Sequence, residues 1–192
     1  RNYAFLSNLD AHSPANLARE YNLIRMGSLS FAEFRMALLG ERGRRIMANY
    51  GMHPLLGKYH RSYCPQCRVI AQTDQATFTC DTCGQDMIPG VWDRILAIRD
   101  YDVPHHPIGR PPYHYRVPLQ YIPGLGPKTY ARLRRAFGSE IQIIEHADLE
   151  RMKRIINPSV VNYIEKMRKN ELEIIPGGGG YYGKVKKSSD DH

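Results

Sequence analysis

"CPQCRVIAQTDQATFTCDTC", residues 64 to 83, holds all four cysteines of the chain as two CxxC pairs with twelve residues between them. Tetrahedral zinc needs four thiolates, and a CxxC turn points two sulfurs at one ion while backbone amides hydrogen-bond them. Gly84, just past the second pair, suits the left-handed residue that closes such a turn. The intervening "RVIAQTDQATFTC" reads as strand, turn, strand, a hairpin that brings the two turns together. Disulfides are disfavoured in a cytoplasmic chain, and a thioredoxin-like redox pair needs no second CxxC. The expectation is a small four-cysteine zinc module with a β-hairpin over 58–93, with Cys64, Cys67, Cys80 and Cys83 as ligands of one structural Zn2+ and no open position for catalysis. His53, His60, His105 and His106 are then not needed as ligands.

Downstream, residues 94–120 are rich in Pro and His without periodicity and read as a linker. "YIPGLGPKTYARLRRAFG", residues 121 to 138, follows: a tight Pro-Gly-Leu-Gly turn, Pro127 at a first helical position, and Tyr130, Leu133 and Phe137 on one face. This is the pattern of a helix-hairpin-helix within an all-α domain over 121–172. Glycines let backbone approach a phosphate, and the amides of Gly126, Lys128 and Thr129 at a helix N-terminus form a cradle for it. Gly124 makes the turn, while Lys128, Arg132, Arg134 and Arg135 attract the backbone without reading bases. The DNA-binding candidates are therefore Gly124, Gly126, Lys128, Thr129, Arg132 and Arg135. A plain helical hairpin with a Gly-Pro turn is the alternative. Ile156-Asn157-Pro158 reads either as a second, degenerate hairpin or as two helices that complete the core with Val160, Val161 and Ile164. The Gly-rich basic tail, 173–192, reads as a phosphate-contacting arm with stacking tyrosines or as a disordered end, with order stopping near Val185.

Upstream, "NYAFLSN" reads as a buried strand, with Asp10 and His12 just past its end, where α/β barrels keep metal ligands. "SPANLAREYNLI" opens like a helix capped at Ser13, and "SFAEFRMALLGERGRRIMANYG" like another capped at Ser30 or Ser28. Arg42, Arg44 and Arg45 at its end read as a solvated face.

The composition bounds the class. At 192 residues, 42% hydrophobic and 24% charged, the chain has room for one or two modest globular domains. No apolar run reaches the ~20 residues that span a bilayer, and no leader pattern opens the chain, so a cytoplasmic protein with no membrane partner is expected. A net charge of +8 and a pI near 9.4 favour a polyanionic partner, DNA before a membrane surface.

Asp10-Ala11-His12-Ser13-Pro14, Arg19-Glu20-Tyr21-Asn22, Gly57-Lys58-Tyr59-His60, the two CxxC pairs, Pro123-Gly124-Leu125-Gly126-Pro127-Lys128 and Gly177-Gly178-Gly179-Gly180 occur in this order. In that order, and over essentially the whole chain, the sequence resembles the endonuclease Q family. Its members carry an N-terminal PHP (polymerase and histidinol phosphatase) domain. The resemblance implies that residues 1–57 hold the end of a PHP α/β barrel plus helices, and that the chain is the C-terminal half of a longer protein whose N-terminal barrel is its partner. It also implies that Asp10 and His12 are a remnant of a catalytic metal cluster, which in the complete parent enzyme uses Zn2+, Mn2+ or Mg2+ to hydrolyse a phosphodiester beside a deaminated base or an abasic site. The family usually has a polar residue where Leu9 stands. Tyr59, His60, Tyr113 and Tyr115 are candidates for stacking on an extruded base, core packing being the alternative.

The fold class expected is α+β and multi-module. The expected function is DNA binding and damage recognition within a metal-dependent repair endonuclease, inactive as this fragment. A non-enzymatic zinc and helix-hairpin-helix module that recruits DNA for a partner is the first alternative, a PHP-type phosphatase fragment the second.

Overall fold

The computed structural model describes residues 4–14, 17 and 19–187. In chain order the regular elements begin with β1 (Tyr21–Arg25), α1 (Phe31–Leu39), β2 (Arg45–Met52), β3 (Tyr63–Cys64), β4 (Val69–Ile70) and α2 (Val91–Ile98). They continue with β5 (Tyr113–Arg116), α3 (Pro127–Phe137), α4 (Leu149–Lys153), α5 (Pro158–Arg168), β6 (Ile174–Ile175) and β7 (Lys184–Val185). The mixed α+β class is as expected. Two compact units emerge, each assembled from two stretches: Arg1–Met52 with His106–Glu171, and His53–His105 with Leu172–His192.

In the first unit, a three-stranded sheet in the order β1-β2-β5 pairs β1 antiparallel and β5 parallel to β2. Residues 94–120, read from sequence as a linker, thus contain the end of α2 and a sheet strand. The N-terminal run forms no strand among its described residues; Asn2 and Tyr3 lie outside them. Instead the Asn22 side chain takes the place of a ladder partner, accepting the Ser7 N–H at 2.7 Å and donating to the Ser7 carbonyl at 2.9 Å. The helix expected from Ser13 is replaced by β1, because Tyr21, Leu23 and Ile24 pair with β2 and tertiary pairing overrides local pattern. Residues 15, 16 and 18 of that stretch lie outside the described residues.

The next helix is capped at Ser30, whose side chain accepts the Glu33 N–H. It stops at Gly40, left-handed at φ 71°, with Glu41 N–H returning to the Met36 carbonyl. What was read as its C-terminal half is β2, with Ile46, Ala48, Asn49 and Gly51 buried. Arg44, one of the expected free surface arginines, is held by Glu33 at 2.8 Å.

Beneath the helices of this unit Leu119, Leu133, Ile143, Met152, Val160, Val161, Ile164 and Met167 are buried, with Val160, Val161 and Ile164 packed as expected. A π-helical turn, Gln142–His146, precedes α4. Its carbonyls would be orphaned where the chain breaks away, and Arg168 fills them, donating to Ile143, Ile144 and Ala147. Glu140 accepts the Leu119 N–H and the Tyr130 hydroxyl, pinning the start of the hairpin to α3.

The second unit is organised by polar groups. Asp93 on α2 is fully buried and accepts the Ser62 N–H at 2.7 Å, the Thr77 N–H at 3.2 Å and two nitrogens of Arg61. Arg61 reaches on to the Thr73 carbonyl. Burial pushes the Asp93 carboxyl up, but these donors outweigh it and hold it below the usual carboxylate range. The helix is therefore turned inside out: Asp93 faces inward, while Val91, Ile95 and Ile98 are exposed.

The Gly-rich tail is neither an arm nor a free end among its described residues, which run to Lys187. Strands β6 and β7 pair as a hairpin. The Gly177, Gly180 and Gly183 N–H groups donate to the carbonyls of Leu55, Lys58 and Leu56. A Cβ on Gly179 (φ +60°) would lie 2.2 Å from the Tyr63 ring, and one on Gly183 2.2 Å from the Leu55 carbonyl oxygen. These glycines serve close backbone packing rather than flexibility.

Candidate metal centre and nucleic-acid interface

The four cysteine sulfurs lie within 4.8 Å of one another. Cys64 and Cys83 are nearest at 3.6 Å, far beyond a disulfide bond, and all four are free thiols. The local backbone explains the convergence. In the first turn the Cys67 N–H points at the Cys64 sulfur and Arg68 returns its N–H to the Cys64 carbonyl at 2.8 Å. In the second, Gly84 does the same to Cys80 at 2.8 Å. Both closing residues are left-handed, Arg68 at φ 57° and Gly84 at φ 69°. Arg68 therefore occupies a position that glycine fills in the other turn, at a backbone cost of about 1–2 kcal/mol.

The strand pairing differs from the expected single hairpin. Each CxxC sits on its own: β3 pairs with β4 across the first, and Thr79 bridges Asp86 across the second. Tyr63 and Ile88 join the two by exchanging backbone hydrogen bonds.

The N–H groups of Cys83 and Thr82 hold the Cys80 thiol down at about 6, while contact with the Cys83 sulfur pushes Cys67 up to about 12. Four such sulfurs cannot all ionise side by side without a cation between them. The donor set fits one metal ion bound by four thiolates, with Ala71 and Met87 buried beside it.

On α3 every sequence candidate is at the surface. Gly124, Gly126, Lys128, Arg132 and Arg135 are exposed and Thr129 is half-buried. The two turn glycines have different tasks. Gly124 has φ +75°, and a Cβ there would meet Val160 at 3.0 Å, so it makes the turn. Gly126 is extended, φ −78°, with open space where a Cβ would stand, so it leaves room above the helix N-terminus.

No side chain caps that N-terminus, and its first turn carries Lys128 and no acid. A cation there opposes the helix dipole by about 0.3–1 kcal/mol, a cost that a bound anion reverses. The N-terminus of α5 is built oppositely: Asn157 accepts the Ser159 N–H at 2.9 Å and closes it from within. Asp148 closes α4 in the same way, through the Arg151 N–H at 2.7 Å. Lys128, Arg132 and Arg135, spaced four and three apart, share an exposed face, and none of them is ion-paired among the described residues.

Asp10 and His12 are brought together, His12 Nε2 to Asp10 Oδ2 at 3.2 Å, with side chains 93% and 84% exposed for Asp10 and His12 respectively. No other His, Cys, Asp or Glu joins them in a cluster of three or more among the described residues. Of the proposed stacking residues, Tyr59, Tyr113 and Tyr115 are partly exposed, and His60 lies against Trp92 with ring centroids 6.1 Å apart. The Asp93 network was not visible in the sequence; the one hint is an acid in the first turn of a helix whose apolar residues are otherwise evenly spaced. No helix of the described residues is long and apolar enough to cross a membrane.

A family model described as the MJ0043 C-terminal domain matches residues 127–171, the stretch from α3 to the end of α5. The chain is 42% identical over 185 residues to protein YqxK of Bacillus subtilis (strain 168), covering 96% of this chain and 47% of that protein. It is 35% identical to protein MJ0043 of Methanocaldococcus jannaschii, covering 96% of this chain and 26% of that protein. Among solved structures it is similar to the lesion-specific endonuclease PfuEndoQ from Pyrococcus furiosus, with TM-score 0.79 and 33% identity over 97% of this chain and 50% of that one. An endonuclease Q complex with a 27-mer duplex carrying an abasic lesion at the active site matches with TM-score 0.75, also at 33% identity and over 97% and 50% of the chains. The chain thus spans half or less of the length of each of these relatives.

Proposed function

We propose that this chain is the DNA-binding and damage-recognition part of a metal-dependent DNA repair endonuclease that acts at deaminated bases or abasic sites. The observation that carries the reading is the uncapped, glycine-fronted N-terminus of α3, in a chain that resembles an endonuclease Q–DNA complex over almost its whole length. In this reading the turn and α3 form a helix-hairpin-helix. The N–H groups of Gly126, Lys128 and Thr129 hold a DNA phosphate, while Lys128, Arg132 and Arg135 follow the backbone on either side.

Cys64, Cys67, Cys80 and Cys83 hold zinc, which supplies structure and leaves no position for substrate. Asp10 and His12 belong to a PHP-type metal site completed by an N-terminal barrel, where divalent ions supply activated water and charge neutralisation at the phosphodiester. Within this chain they orient each other and nothing more.

The test of the DNA contact is a fluorescence-anisotropy titration of duplex DNA at two salt concentrations. Gly126→Val introduces no positive-φ strain, so it folds and blocks the approach to the amides. It is expected to weaken binding by about 1–3 kcal/mol, the scale of an unmet hydrogen-bonding site, against less than about 1 for Lys128→Ala. Affinity is expected to be independent of sequence and to fall with salt. Wild-type binding by a folded Gly126→Val removes the phosphate cradle from the account.

The purified chain is also expected to cut neither uracil-containing nor abasic DNA with added Mn2+, Mg2+ or Zn2+. Two exposed ligands cannot position an ion and its water. Lesion-specific cleavage abolished by Asp10→Ala contradicts this.

A further inference from the structure

A second basic and aromatic surface lies on the unit that carries the cysteines, with no part in the phosphate cradle. Tyr59 is 48% exposed and Tyr182 52%. The Lys58 ammonium stands 5.3 Å from the centre of the Tyr59 ring and 6.0 Å from that of Tyr182, so one cation links two rings. On β7 and its approach, exposure alternates: Gly183 and Val185 are buried, while Tyr182, Lys184 and Lys186 face out together. Lys186 is held by Glu173 at 2.7 Å, which leaves Lys58 and Lys184 as the cations that accompany the rings.

This surface is rigid. The Gly180 N–H donates to the Lys58 carbonyl at 2.9 Å and the Gly183 N–H to the Leu56 carbonyl at 3.1 Å, so both ring-bearing segments are fixed to each other through backbone. Half-exposed aromatic rings on fixed backbone, interleaved with lysines, match a ligand that offers flat faces and negative charge in alternation. Unpaired nucleotides do so; in a duplex the base faces are hidden in the stack.

We infer that Tyr59, Lys58, Tyr182 and Lys184 form a platform that stacks unpaired nucleobases and attracts the phosphates between them. It would engage single-stranded or unwound DNA beside a lesion, and so deepens the DNA-binding reading, on which it rests.

The experiment uses the full chain, zinc-loaded, with Tyr59→Ala, Tyr182→Ala and the matching Tyr→Phe variants. Each is titrated into a labelled oligothymidylate of about a dozen nucleotides, and into a duplex. Zinc content and circular dichroism confirm that each is folded. Each Tyr→Ala variant is expected to lose about 10-fold in single-strand affinity, with Tyr→Phe within about 2-fold of wild type because the ring face is kept. Duplex affinity is expected to be unchanged, whereas Gly126→Val does the reverse. Single-strand binding untouched by both folded Tyr→Ala variants overturns the platform, as does equal loss in Phe and Ala variants. Binding of a proline-rich peptide that these variants abolish, with oligothymidylate binding unchanged, assigns the surface to a protein partner instead. Failure of the cradle shows separately, as duplex binding indifferent to Gly126→Val.

Discussion

Chelating the metal is expected to unfold the unit formed by His53–His105 and Leu172–His192 while the helices of the other unit persist. The cluster of Cys64, Ala71, Cys80 and Met87 is too small a core to hold that unit without an ion. A structural zinc contributes about 10–16 kcal/mol of apparent binding energy, against a net stability of about 5–15 for a whole domain. Metal analysis should find one zinc per chain. Hydrogen exchange after chelation should show protection lost across residues 58–93 and retained across α3 and α5. Cys80→Ser should behave like chelation, because it removes the thiol that the Cys83 and Thr82 amides already hold as thiolate. A zinc-free chain with free thiols and full protection in that unit contradicts the assignment.

The second large effect belongs to Asp93. Replacing it with Ala leaves Arg61 buried without its carboxylate and strands the N–H groups of Ser62 and Thr77, which should cost about 3–5 kcal/mol. The only tryptophan of the chain is Trp92, in the same unit, so urea unfolding followed by its fluorescence reads this unit selectively. A loss below about 1 kcal/mol would mean that the network is a surface ion pair in all but position. The pH dependence follows in sign. Because the folded carboxyl titrates below its usual range, its contribution is fully present above the unfolded value of about 3.9 and is lost as pH falls through the folded value. The difference between wild type and Asp93→Asn should therefore be flat near neutrality and shrink only in acid.

The parts of this molecule that were legible in the sequence are those fixed by chemistry at short range. Four thiolates at CxxC spacing converge because each turn is closed locally, by Arg68 and by Gly84. Pro127 after a glycine turn begins a helix, and Ser30 caps one, for reasons contained within four residues. The illegible parts depend on partners far along the chain. Strand β2 looks like the continuation of a helix until β5, far downstream, pairs with it. A Gly-Gly-Gly-Gly run has the composition of a flexible tether, and only the carbonyls of Leu55, Leu56 and Lys58 reveal that it is packed backbone. The exposed apolar face of α2 misleads in the same way, since its inward anchor is an aspartate. The candidate DNA contact lies between these cases. Its residues were readable, but the division of labour between Gly124 and Gly126 came from their backbone angles, and the contrast with α5 from the Asn157 cap.

The central claim, that the open N-terminus of α3 receives a DNA phosphate, is tested most directly by an amide NMR titration of the zinc-loaded chain with duplex DNA containing an abasic site. The account predicts that the largest shifts fall on the N–H groups of Gly126, Lys128 and Thr129, with Ser159 at the closed start of α5 unmoved and the shifts reversed by added salt. Saturating DNA that leaves those three amides in place while it shifts others contradicts it.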